Sequence, residues 1–168
     1  NSGKTTLIHN LSRSLECIGL KVKVMQEDAE LVPKEIPKKT WIRNVWITFG
    51  QLQSLLELPY LDNYDIVFLY RGYYDAIFWA NFLCTQGVCS KEQSDSLLRI
   101  LDEMNRNFNL LPNYLFILDV SIEESIRRRY SMGDKPTLTN YDFLNLYKEE
   151  LNSFYDTVTT PILYLDTT

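Results

Sequence analysis

The opening residues Asn1-Ser2-Gly3-Lys4-Thr5-Thr6-Leu7 have types and spacing suited to holding phosphate. They read as the back half of a G-x-x-x-x-G-K-[ST] loop, with Gly3 as second glycine, Lys4 as the lysine and Thr5 as the hydroxyl residue. A glycine lets backbone approach a phosphate without a Cβ in the way and tolerates positive φ. Successive N–H groups from Asn1 to Thr6 then make an anion nest, reinforced by the positive end of the following helix. Lys4 brings a point charge to the β- and γ-phosphates, and the Thr5 hydroxyl is placed to ligate Mg²⁺. An ordinary glycine turn with a solvated lysine is the competing reading. The first glycine of the pattern would precede Asn1, as would the strand that carries the loop, so the chain is expected to be N-terminally truncated.

Phosphoryl transfer also needs cations on the moving charge and a group that orients the acceptor. Arg71 directly follows a buried apolar run, where it would reach a phosphate site. Arg127, Arg128 and Arg129 precede a loop holding Gly133 and Lys135, the arrangement of a lid at about 127–138. Complementing a helix dipole is the plainer role for those arginines. Glu27 and Asp28 follow a strand and are placed to take an acceptor proton or hold Mg²⁺ through water; a solvated acidic turn competes. Asp75, five residues past the next strand, is a metal candidate or a helix cap. Arg43 and Gln51 on one helix are acceptor-side candidates, and Tyr73, Trp41, Trp46 and Phe49 could stack on a base. Packing is the alternative for these aromatics, and His9, inside the first helix, reads as packing or surface.

The elements that must position these residues are legible from periodicity. Leu7, Ile8, Leu11, Leu15 and Ile18 make a helix over 4–18, ended by Gly19. Lys21–Gln26 alternates as a strand, and Pro33 and Pro37 mark a loop. A helix over 39–57 offers Val45, Phe49, Leu52, Leu55 and Leu56 as its inner face. Asp65–Tyr70 and Tyr114–Val120 are continuous apolar runs, read as buried parallel strands. A helix over 74–84 lies between them, as does another opened by a Ser90/Gln93 capping box, with Leu97, Leu98, Leu101, Met104 and Phe108 inside. Ser121 and Glu124 cap a helix to about Tyr130. A long helix from Thr139 offers Leu144, Tyr147, Leu151, Phe154 and Val158, and Pro161–Asp166 is the last strand. Helices between short apolar strands predict an α/β fold with a parallel sheet and ligands beyond the strand C-termini, where Glu27, Asp28, Arg71, Asp119 and Asp166 fall.

The composition suits one domain over 1–168: 45% hydrophobic and 23% charged residues describe a globular chain. A net charge of −5 argues against a nucleic-acid-coating protein. Three cysteines without a C-x-x-C pair read as reduced thiols of a cytoplasmic protein, with no zinc pattern. No apolar run reaches membrane-spanning length.

Together, Gly3-Lys4-Thr5-Thr6, the acidic residue after the second strand, Arg71 after the third and the basic segment before the last long helix resemble the thymidylate kinase and deoxynucleoside kinase group. Tyr70-Arg71-Gly72-Tyr73-Tyr74-Asp75-Ala76-Ile77-Phe78-Trp79-Ala80 is similar to that group's acidic-Arg segment. Leu118 to Arg128 looks like its strand-to-lid segment, with Arg128 on the first lid arginine, and Tyr141 to Tyr155 is similar to the helix that follows. The resemblance implies a three-layer α/β/α P-loop NTPase fold and ATP with Mg²⁺ as cofactors. It implies a small nucleoside or nucleotide acceptor, and it allows a homodimer. Lys4, Thr5 and Arg128 would contact ATP and Mg²⁺, Glu27 would lie near the acceptor, and Arg71 would contact acceptor-side phosphate or the catalytic acid. Two positions depart from the pattern. Tyr70 stands where the group has Asp or Glu, and a tyrosine hydroxyl is a poor ligand for a hard cation. Met132 stands where a further lid arginine is usual. Both departures favour the alternative of a regulatory nucleotide-binding protein with weak or no kinase activity.

Overall fold

The computed structural model describes residues 3–131 and 138–167. Asn1, Ser2, Met132, Gly133 and Lys135 lie outside the described residues, and with them most of the expected lid. The chain is mixed α/β, with α1 (Lys4–Cys17), β1 (Val22–Val24), α2 (Asp28–Leu31), α3 (Trp41–Glu57) and a 3₁₀ turn (Leu58–Tyr60) in its first part. Then come β2 (Ile66–Phe68), α4 (Tyr73–Thr85), α5 (Lys91–Phe108), β3 (Leu115–Asp119), α6 (Ile122–Ser131), α7 (Leu138–Tyr155) and β4 (Ile162–Asp166). It divides into two compact units: a larger one, Ile8–Pro112, and a smaller one, Asn1–Leu7 with Asn113–Thr168.

In the larger unit β1 and β2 pair in parallel, with Val22 opposite Ile66 and Val24 opposite Phe68. The ladder is extended at both ends: Asp65 N–H donates to the Lys21 carbonyl and Met25 N–H to that of Phe68. In the smaller unit β3 and β4 pair in parallel over five residues, from Leu115/Ile162 to Asp119/Asp166. The expected parallel pairing is present, but the described residues form two two-stranded sheets. No residue of the four strands is buried, which corrects the expectation that the runs at 65–70 and 114–120 form buried strands. In a two-stranded sheet each strand keeps one unpaired edge, so its backbone and side chains remain open to solvent.

The core is helical and belongs to the larger unit. All buried hydrophobic side chains among the described residues fall between Ile8 and Leu110, whereas Ser125 and Thr160 are the buried residues of the smaller unit. α4 carries Ala76, Phe78, Ala80 and Phe82 into this core, and α5 carries Leu97 and Leu101. The two helices meet through small residues: buried Ser94 donates its hydroxyl to the Ala80 carbonyl at 3.0 Å. Phe78 and Phe82 stack at 5.4 Å between centroids.

Local signals set the helix ends. Gly19 has φ +90°, and Leu20 N–H closes back on the Leu15 carbonyl at 3.1 Å, a left-handed cap that finishes α1. The Ser90/Gln93 capping box is complete, each side chain bonding the other's backbone. The α3 inner face is rotated from expectation. Asn44, Thr48, Gln51, Leu52 and Leu55 are buried, while Phe49 is 49% exposed. Ile18 and Phe108 are likewise exposed, each at or beyond a helix end. Leu144, Tyr147, Leu151 and Phe154 of α7 are only half-buried, in keeping with a smaller unit that has no buried hydrophobic side chain among the described residues. No helix among the described residues is long and apolar enough to cross a membrane.

Candidate functional site

Two polar constellations stand out, one in each unit. In the larger unit β1 and β2 end level, at the register pair Val24/Phe68. Glu27 and Arg71 each follow three residues later, so parallel strands deliver both side chains to the same end of the sheet. Arg71 Nε donates to Glu27 Oε1 at 3.0 Å. Its Nη1 reaches Asp75 Oδ2 at 3.2 Å and Oδ1 at 3.3 Å, an i,i+4 contact across the start of α4. Gln51, buried on α3, donates Nε2 to Asp75 Oδ2 at 3.3 Å. The arginine side chain is 27% exposed and its two carboxylate partners 15% and 17%, so this is a largely desolvated cluster. Asp75, and after it Glu27, raise the Arg71 pKa against the opposing effect of burial.

Four expected residues, Glu27, Arg71, Gln51 and Asp75, are therefore brought together. Asp75 faces the arginine with both oxygens and so anchors Arg71. Asp28 sits beside α3, where a Cβ built on Gly50 would fall 2.6 Å from Asp28 Oδ1. Burial pushes its carboxyl above the ordinary range, and Glu27 and Glu57 add to the shift.

Arg43 and Tyr73 turn elsewhere. Arg43 donates Nη1 to the Ile36 carbonyl and Nη2 to the Ala29 carbonyl, both at 3.3 Å, and so clamps the segment before α3. Tyr73 is buried against α5, where burial and the nearby Asp102 carboxylate push its hydroxyl pKa up. Apolar surface on its ring is better covered by the α4–α5 contact than left at the strand ends. Trp41 and Trp46 are half-buried, and exposed His9 has no part in either cluster.

In the smaller unit Gly3 has φ +82°, and its carbonyl accepts the first bond of α1, from Leu7 N–H at 3.0 Å. The first N–H groups of a helix have no intrahelical acceptor, and Lys4, Thr5 and Thr6 hold those positions in α1. A Cβ on Gly3 would come 4.0 Å from Arg128 Nη1, which sets that guanidinium beside the glycine turn. Arg128 is fixed by Glu124, with Nε to Oε1 at 2.7 Å, and by the Thr167 carbonyl. Arg127 makes a two-point contact with the same carboxylate, at 2.5 and 2.6 Å. Hydrogen bonds from Arg127 and then Arg128 pull the Glu124 carboxyl down to about 2. Below them, Lys148 Nζ pairs with Asp119 Oδ1 at 2.7 Å, and Thr167 bonds the Asp119 carbonyl through N–H and hydroxyl.

Glu124 and Lys148 were missed as site residues. The i,i+3 and i,i+4 spacing of Glu124 to Arg127 and Arg128 was a readable signal for the first. Nothing local marked the second, because its partner lies on another element. Among the described residues no group of three or more His, Cys, Asp or Glu gathers as a metal cage. A single Thr5 hydroxyl still fits Mg²⁺, which is commonly held by one or two protein ligands plus substrate phosphates. No protein-family model matches the chain, and a search of curated proteins likewise gives no match.

Proposed function

We propose that this chain is a P-loop kinase that moves the γ-phosphoryl group of ATP to a small nucleoside or nucleotide, in a thymidylate kinase-like three-layer α/β/α fold. The observation that carries this reading is the Arg128 guanidinium beside the left-handed Gly3 turn that opens α1 at Lys4. N–H groups without an intrahelical acceptor, an ammonium and a guanidinium at one turn suit a polyphosphate far better than any neutral ligand. Parallel strand pairs with intervening helices are the architecture such a loop requires.

In the proposed reaction an acceptor oxygen attacks the γ-phosphorus, the bond to the β–γ bridging oxygen breaks, and ADP leaves. Glu27 accepts the acceptor proton, and Arg71, held between Glu27 and Asp75, stabilises charge on the acceptor side. Lys4 and Arg128 act on the donor phosphates. Bound Mg²⁺ would neutralise β- and γ-phosphate oxygens, with Thr5 as its protein ligand.

A second reading, nucleotide binding with weak or no turnover, draws on a specific observation. Both proposed transition-state arginines are already engaged by carboxylates, Arg71 by Glu27 and Asp75 and Arg128 by Glu124, and Tyr70 replaces an acid. ADP release in ATP and Mg²⁺ against a panel of nucleosides and nucleoside monophosphates separates the two. Stimulation by an acceptor, lost in Lys4→Ala, supports the kinase. ATP binding with no stimulation by any acceptor supports the regulatory reading.

A further inference from the structure

The polarity of α3 is inverted for a surface helix. Its buried face carries Asn44, Thr48 and Gln51 beside Leu52 and Leu55, whereas such a helix ordinarily turns an apolar stripe inward. The opposite side holds Ile42, Trp46, Phe49, Gln53 and Leu56, which alternate at spacings of four and three residues. That alternation is the a/d seam of a coiled coil. Ile42 is 58% exposed, Phe49 and Gln53 are exposed, and Trp46 and Leu56 are half-buried. From Asn44 to Leu56 the helix has no ionisable residue. One ionisable residue flanks the seam at each end, Arg43 and Glu57. Arg43 gives its guanidinium to two backbone carbonyls, and neither residue forms an ion pair among the described residues.

We propose that this face of α3 is a dimerisation surface whose occupant is α3 of a second copy of this chain, packed antiparallel across a two-fold axis. An isologous contact sets a surface against itself, so a charge at its centre would meet its like, and this seam has none there. Antiparallel pairing sets Trp46 against Leu56 of the second copy and Phe49 against Gln53 of the second copy, each twice. The same register brings Arg43 to Glu57 of the second copy at both ends, opposite charges in place of like ones. It also directs Ile42 toward the second copy's 3₁₀ turn, where Tyr60 is 83% exposed. A parallel pairing would set Arg43 against itself and Glu57 against itself, which like-charge repulsion disfavours. The single Gln53 among apolar seam residues is the kind of polar insertion that fixes register at a cost in stability. This association is independent of the kinase reading.

Sedimentation velocity of the intact protein over a concentration series is the test. The natural sequence should sediment as a monomer–dimer equilibrium. Phe49→Asp leaves a desolvated carboxylate in the seam and should lose the dimer. Positions 49 and 53 are exposed, so the helical circular dichroism of Phe49→Asp and of Gln53→Lys should match the natural sequence. A fluorescently labelled Phe49→Asp chain should return to the dimer when unlabelled Gln53→Lys is added, because the new carboxylate then faces the new ammonium. Unlabelled Phe49→Asp should not restore it. A natural sequence that stays monomeric at its solubility limit, a dimer that survives Phe49→Asp, or no recovery with Gln53→Lys would each overturn the proposal.

Discussion

Replacing Arg71 with alanine removes the one cation between Glu27 and Asp75. Its guanidinium makes three contacts of 3.0 to 3.3 Å to two carboxylates, and all three side chains are less than one-third exposed. An exposed pair would contribute only about 0–1 kcal/mol. Breaking a fully buried pair costs about 3–5 kcal/mol, mostly from the charge left behind. Partial exposure puts Arg71→Ala between these limits, at about 2–3 kcal/mol of lost stability. Arg71→Lys should lose about 1 kcal/mol, since one ammonium cannot reproduce the fork that spans both carboxylates. The distinguishing signature is non-additivity. In Glu27→Gln one of the two carboxylates is already neutral, so the further loss on adding Arg71→Ala should shrink by about 1 kcal/mol or more. Urea denaturation of the four proteins of this cycle measures it. Additive losses within about 0.3 kcal/mol, or an Arg71→Ala change under about 0.5 kcal/mol, would refute the view of this cluster as a coupled, desolvated unit.

Three further outcomes follow from the same physical reasoning. Leu101 is fully buried, so Leu101→Ala should cost about 2–5 kcal/mol in denaturant unfolding, while exposed Leu146→Ala should stay within about 0.5 kcal/mol. Gly50→Ala improves helix propensity by about 1 kcal/mol, but its Cβ meets the Asp28 carboxylate at 2.6 Å. It should therefore destabilise the natural sequence and stabilise an Asp28→Ala background, a sign change visible in melting temperature. Glu124 is held at about 2 against an ordinary 4.5. Its contribution is thus fully present above pH 4.5 and lost as pH falls through about 2. Carbon-13 titration of its carboxyl should show the low midpoint, moving upward in Arg127→Ala.

Much of this architecture was legible in the sequence, and the reasons differ by residue. The Ser90/Gln93 box and the Gly19 cap are local chemistry, so they appear where the residues place them. Glu27 and Arg71 could be brought to one sheet end because parallel strands of matched register leave no other place for them. The partner of Arg71 was not readable in the same way, since Asp75 serves equally as cap, metal ligand or counter-ion until Gln51 and Arg71 are seen to converge on it. The buried face of α3 was misread because Asn44, Thr48 and Gln51 are polar. Periodicity assigns the inside to apolar residues, whereas tertiary hydrogen bonding lets Gln51 enter and leaves Phe49 outside. Strand burial was overestimated for a related reason: an apolar run reports what could be buried, and burial requires a neighbour on each edge and face.

The central claim is that Lys4, Arg128, Arg71 and Glu27 serve phosphoryl transfer from ATP to a small nucleoside or nucleotide. Phosphorus NMR of the protein with ATP, Mg²⁺ and each acceptor in turn tests it most directly. The account predicts a new phosphorylated-acceptor resonance that grows as ADP appears, slowed about 10²–10³-fold in Lys4→Ala, as expected for loss of one preorganised charge contact. ATP that remains intact with every acceptor, or is consumed at the same rate by Lys4→Ala, would contradict it.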